Sequence, residues 1–314
     1  MCSMRPGFCS EPPSRLMRSA GRSALFAISI ACSSMAGADL LADFQPAGVE
    51  SSYGAVRRVQ FSTGLVELGP HVLVHSPPGS MRDFRFPEPV WVIGYRSAIF
   101  GPDGQPADNT YLCHTFFGDQ RVVQRQDQRM RALYSDGYTR EVKMPEGFGV
   151  PFTPLDRVHW MPMFNNRSDR AAKVEMRIEI VLIRESDLKK ALRPLYSTLR
   201  SVKLPHLFYV PPNGKSEEIA FQLPFDCRIH FIGTHIHPHG ESIELFNLTR
   251  QERVWKGAKQ LDAANKMVGM EVYSSAEGYA VHAGDAFRLS SVYSNPTQKD
   301  IDAMAAVFFF YSMN

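Results

Sequence analysis

Apolar and polar positions alternate with a period of two through much of the chain. The clearest run is Val174, Met176, Ile178, Ile180 and Leu182, with Glu175, Arg177 and Glu179 facing the other way. That period is a long strand with one buried face. Phe86-Pro-Glu-Pro-Val-Trp-Val-Ile-Gly leads into another strand, with its prolines confined to the start. Gly101-Pro-Asp-Gly-Gln-Pro is a turn, and Thr110 to Phe117 reads as a strand. The final run, Ala303 to Tyr311, carries Val307, Phe308, Phe309 and Phe310 and predicts a strand buried on both faces. Helix signals are few. Ser186-Asp187-Leu188 predicts one short helix through Leu192, stopped by Pro194. Placing the boundary in that stretch divides the chain into residues 39–195 and 196–314. Two antiparallel, jelly-roll-like β-sandwiches in an all-β protein fit this pattern best.

The front of the chain follows a different rule. Arg18 and Arg22 precede an apolar stretch from Ser23 to Ala36, which ends in Ala36-Gly37-Ala38. A basic region, a short apolar region and a small-residue exit predict a secretory signal over residues 1–38. The stretch is short for a membrane span, and Ser29-Ile30-Ala31-Cys32 is a poor lipid-attachment box. The expectation is an exported protein, periplasmic or secreted, with no stable membrane insertion after cleavage.

Removing that segment changes the electrostatics. The chain has 35 basic and 32 acidic residues, and four of the former and one of the latter lie before residue 39. The remainder is neutral overall, which excludes nucleic-acid binding by bulk charge neutralisation. Only Cys113 and Cys227 of the five cysteines remain. An exported compartment permits a disulfide between them, but each also reads as a buried thiol.

The histidines carry the candidate chemistry. Gly233-Thr-His235-Ile-His237-Pro-His239-Gly240 places His235 and His237 on one face of a strand, where two imidazoles can chelate one metal. Pro238 breaks the ladder, which puts His239 on a turn, either in an outer role orienting a ligand or as a possible additional ligand to the metal. His114 and His159 lie in separate apolar strands, where each imidazole needs a partner. Met304 opens the last apolar strand, and a methionine there is ordinarily core filler.

The arrangement resembles the type II copper, ascorbate-dependent monooxygenases, the superfamily of the peptidylglycine and dopamine hydroxylases. The C-terminal half carries it in Pro211-Pro-Asn-Gly, His235-Ile-His237, Gly284-Asp285, Tyr293-Ser-Asn295 and Asp302-Ala-Met304. The N-terminal half is closer to the related stress-up-regulated nodulin branch. Its matching segments are Val90-Trp-Val-Ile-Gly, Gly101-Pro-Asp-Gly, Tyr111-Leu-Cys-His, Met144-Pro-Glu-Gly-Phe-Gly and Val158-His159. The resemblance spans roughly residues 55–314. It implies two sandwiches facing each other across a wet cleft, and copper held by His235, His237 and Met304 as the catalytic residues, where dioxygen is activated. It also implies a second, electron-relaying copper at His114, His159 and Cys113, for up to two coppers per chain.

The implied activity is hydroxylation of a C–H bond in an unidentified small-molecule or peptide substrate, with ascorbate or another small reductant. Arg157 and Tyr293 are among the groups available to hold a substrate carboxylate. The chain departs from the family at Cys113, where a histidine is typical. Adjacent strand residues face opposite ways, so Cys113 and His114 need a bulge or strand end to share a metal. If Cys113 is structural, His71 or His75 is the possible additional ligand. The alternative function is an exported copper-binding or copper-handling protein without turnover.

Overall fold

The computed structural model describes residues 40–41, 45–77, 79–118, 129–204 and 206–313; the expected export signal lies outside them. Among the described residues are 24 strands and a single 3-10 turn at Asn109–Tyr111. The protein is all-β, and nearly every strand pairing is antiparallel. No helix of the described residues is long and apolar enough to cross a membrane.

Two sheets enclose the first core. One runs Arg193–Pro194, Phe148–Phe152, Val90–Phe100, Ala172–Leu188, Gly54–Leu68, Gln45–Ser51. The other runs Leu40–Leu41, Arg82–Arg85, Val158–Asn166, Leu112–Gly118, Ala132–Asp136, with Val72–His75 also paired to Val158–Asn166. Met176, Ile178, Ile180 and Leu182 are all buried between them, as the alternation predicts. Phe61 of the first sheet meets Phe84 of the second with ring centroids 4.5 Å apart. On the opposite face of Ala172–Leu188, Glu175 pairs with Arg177 at 2.8 Å.

A second sandwich follows. Its first sheet runs Tyr196–Ser201, Ala305–Met313, Cys227–Ile236, Tyr273–Val281. Its second runs Lys215–Gln222, Ala286–Tyr293, Gly240–Asn247, Glu252–Leu261, Met267–Met270. The final strand is buried on both sides because two cores share it. Val307, Phe309 and Tyr311 enter the second core, while Phe308 and Phe310 enter the first. Phe231 of the neighbouring strand also faces the first core. The two halves therefore meet through a packed aromatic layer, in which Tyr134 stacks on Phe308 at 5.7 Å.

Two local expectations are corrected. No helix forms over residues 186–192. Ala172–Leu188 continues as a strand to Leu188, which pairs with Gly54. The Asp187 carboxylate accepts from Arg57 and Arg184 instead of capping a helix. There is also no bridge between Cys113 and Cys227, which are both free thiols. Cys227 begins the strand Cys227–Ile236 and packs in the second core. Cys113 lies beside His237, about 30 Å further along that strand at the ordinary rise.

Candidate metal centre

His235 and His237 share a face because the strand Cys227–Ile236 carries its register one residue past its end. Ile236 is opposite Ala305, and the His237 amide donates to the Met304 carbonyl at 3.0 Å. Met304 is thus directly across from His237 and diagonal to His235, where side chains on one face meet. Its Sδ stands 3.1 Å from His235 Nε2. Met304 falls at the break between strands Ile301–Ala303 and Ala305–Met313, so its side chain is free of the apolar layer that follows. Tyr293 fastens this corner: its hydroxyl accepts from the His237 amide at 3.1 Å and donates to the Met304 carbonyl at 2.6 Å.

Cys113 reaches the same place through a bulge. On the partner strand Met163 is opposite His114 and Phe164 is opposite Leu112, which leaves Cys113 as the extra residue. A bulge of this kind turns two successive side chains toward one side. Cys113 Sγ lies 3.5 Å from His114 Nδ1 and 3.6 Å from His237 Nε2. The metal-binding atoms of Cys113, His235 and His237 all fall within 4.8 Å of one another, and all three residues are buried. Bonds of about 2.0–2.3 Å to a tetrahedral ion separate its donors by about 3.3–3.8 Å, so closure needs shifts of about 1 Å.

Carboxylates hold the two imidazoles from behind. His235 Nδ1 is 3.2 Å from Asp136 Oδ2, and His237 Nδ1 is 2.9 Å from Asp302 Oδ2. Arg167 grips Asp302 with both terminal nitrogens, at 2.7 and 2.6 Å. Each carboxylate engages its imidazole at Nδ1 and leaves Nε2 facing the sulfurs, and Arg167 Nη2 also stands 3.1 Å from His237 Nδ1. Burial opposes ionisation of Cys113, but the imidazoles of His114, His235 and His237 outweigh it and hold the thiol well below its ordinary range. Burial likewise opposes protonation of His235, but Asp136 and Cys113 outweigh it and push this imidazole up to about 10. Burial works against the Asp302 carboxylate too, yet His237 and Arg167 hold it far below its usual range.

The donors fit a soft metal. Two imidazoles, a cysteine sulfur and a thioether suit a soft or borderline metal such as copper or zinc over hard cations. The space beside them, bounded by Leu112, Tyr138, Asn165 and Arg167, is about 20 Å³. That admits one ion or one water.

The expected relay trio of Cys113, His114 and His159 does not assemble. His159 pairs with Gly118 across the sheet, four residues from His114, about 14 Å at strand rise. Its Nδ1 is 2.6 Å from Asp83, which also takes Arg157. Cys113 and His114 instead join the His235 cluster, where the His114 and His235 rings are 4.8 Å apart. His71 is exposed and pairs with Asp169 at 2.7 Å. His75 is nearer, its ring 6.3 Å from that of His114. His239 is exposed on a left-handed turn residue, φ 71°, outside the donor set. Arg157 pairs with Asp83, and the Tyr293 hydroxyl is engaged by the His237 amide and the Met304 carbonyl. Asp136 and Arg167 escape sequence reasoning. Ser135-Asp136-Gly137 reads as a plain turn, and Arg167 as a surface charge after a strand.

The chain matches no protein-family profile and no curated protein. Among solved structures it is similar to the major capsid protein P2 of bacteriophage PM2, at 12% identity and TM-score 0.35, covering 79% of this chain and 97% of that one. It is similar to the Sulfolobus turreted icosahedral virus structure at 8% identity and TM-score 0.36, covering 79% and 91%. The cowpea mosaic virus top component gives 11% identity and TM-score 0.34, covering 92% and 96%. Likenesses at this level carry no argument about what the chain does.

Proposed function

We propose that this protein is an exported copper-binding and copper-handling protein that holds Cu(I) on Cys113, His235 and His237, with Met304 as a weak fourth donor. The observation that carries this reading is the bulge that turns Cys113 into the His235/His237 pair. Bound copper supplies a one-electron couple and a soft, exchangeable bond to sulfur. Asp136 and Asp302 fix the imidazoles, Tyr293 holds the two strand ends together, and the imidazoles around Cys113 favour its thiolate.

Two features favour binding over the oxygen insertion that the family resemblance implies. The space at the cluster, about 20 Å³, suits an ion. A thiolate beside an oxygen-activating copper would itself be oxidised to sulfenic acid and beyond.

The test is anaerobic reconstitution of the full chain with Cu(I), followed by exposure to air with ascorbate. The reading predicts one tightly held copper that depends on Cys113, a thiolate-to-copper charge-transfer band on oxidation, and no reductant-driven oxygen uptake. Sustained oxygen consumption, with a product heavier by one oxygen atom, would establish the monooxygenase instead. Failure to retain any metal would leave only a structural sandwich.

A further inference from the structure

The two carboxylates behind the imidazoles differ in one respect. Among the described residues, Asp136 has no basic partner other than His235. Asp302 takes Arg167, whose two terminal nitrogens stand 2.7 and 2.6 Å from its oxygens. The Nη2 of that guanidinium is also 3.1 Å from His237 Nδ1, and Arg167 borders the space at the cluster. With His237 ligating through Nε2, a fixed positive charge lies one imidazole ring from the metal.

The same device holds both partners of this pair. Arg167 follows the buried Asn166, whose side-chain amide donates to the Gly69 and Arg170 carbonyls at 2.8 Å each. Its side-chain oxygen accepts from the Ser168 amide at 3.1 Å. Asp302 follows a turn closed by the buried Asn295, which donates to the Val210 and Lys299 carbonyls at 2.9 and 2.7 Å and accepts from the Thr297 amide at 2.9 Å. Each turn is fixed by a side chain that bonds its own backbone. The ion pair is therefore built from anchored segments of both halves.

Coulomb energy scales with the charge of the ion, so a fixed charge acts twice as strongly on a dication as on a monocation. The Cys113 thiolate, Asp136 and Asp302 would together present three negative charges to a bound metal, and Arg167 cancels one. We infer that Arg167 is a specificity-determining residue, which biases the centre toward monovalent Cu(I) and against divalent ions such as Zn(II) and Cu(II). The inference rests on the copper reading above and deepens it, because the donor atoms alone suit zinc as well as copper.

The experiment is an anaerobic competition titration of the full chain with Cu(I) and with Zn(II), against chelators of known affinity. It compares the native protein with Arg167→Gln, Arg167→Lys and Asp302→Asn, and thermal unfolding of the metal-free proteins checks the fold. Arg167→Gln leaves Asp302 unopposed and should raise Zn(II) affinity relative to Cu(I) by about tenfold or more, as one charge at about 7 Å in an effective dielectric of about 20 requires. The same factor lowers the Cu(II)/Cu(I) potential by about 59 mV. Arg167→Lys keeps the charge and should keep the native ratio within about threefold. Asp302→Asn leaves Arg167 unopposed and should lower the ratio. A ratio unchanged in Arg167→Gln overturns this inference and leaves the Cys113 centre standing. So does a shift in the same direction in Arg167→Gln and Asp302→Asn, or one as large in Arg167→Lys as in Arg167→Gln, since each marks a structural role. A native chain that holds no Cu(I) sinks the copper reading and this inference with it.

Discussion

Cys113 and Cys227 carry the same thiol in opposite surroundings. Cys227 packs in an apolar core, where burial first, then Asp226 and Asp285, push it up to about 12. Cys113 is as buried, but its neighbours are imidazoles and its shift is downward. The contact favours the thiolate of Cys113 and the protonated form of His235. The raised His235 contributes stability that is full below its unfolded value, near pH 6.5, and is lost as pH rises through about 10. The depressed Cys113 contributes stability that is full above its unfolded value, near pH 8.5, and is lost as pH falls through its lowered folded value. The two slopes cancel in the window just below about pH 8.5, where both act, and the His235 contribution declines alone above it. Thermal unfolding of the metal-free chain should therefore show a contribution from this pair that is flat in that window and declines above it. The check is the difference in melting temperature between native protein and Cys113→Ser across pH. A difference that rises steadily through the window would show that the pair does not exchange charge in this way.

At the scale of single elements, the strand that carries the histidines is fitted to the first core by a glycine. Gly233 shares the face of His235 and is opposite Phe308. A Cβ at Gly233 would collide with the Phe308 ring, which is itself stacked between Phe231 and Tyr134 at 5.9 and 5.7 Å. Gly233→Ala should therefore destabilise the protein by about 1–3 kcal/mol, the ordinary cost of overpacking, measured by denaturant unfolding. An unchanged unfolding midpoint would mean that the aromatic layer is looser than its geometry implies. This face also shows how far the site is legible in the chain. Period-two spacing suffices to pair His235 with His237. Met304 is legible only by resemblance, because its position opposite His237 depends on a register between strands distant in sequence. Cys113 is not legible as a donor, since nothing in Tyr111-Leu-Cys-His marks the bulge. His159 has the right parity but stands too far along its strand, and parity carries no information about distance. The helix read at Ser186-Asp187 fails for a related reason: arginines from other positions claim the Asp187 carboxylate.

Across the whole molecule, the sandwich pattern is written in the alternation, but the seam between the halves is not. That seam is where the centre lies. Cys113, Asp136 and Arg167 come from the first half, and His235, His237, Asp302 and Met304 from the second. A metal there ties together segments nearly two hundred residues apart and stabilises the folded unit as well as occupying a site; at about 1,000 times its dissociation constant a ligand contributes about 4.1 kcal/mol. The claim on which this account turns is that copper bonds to the Cys113 sulfur alongside two imidazoles. Copper-edge X-ray absorption on the Cu(I)-loaded full chain measures that bond directly. The account predicts one short copper–sulfur distance with two nitrogen neighbours, and its disappearance in Cys113→Ser. A native spectrum fitted by nitrogen and oxygen donors alone, or one indifferent to Cys113→Ser, would contradict it.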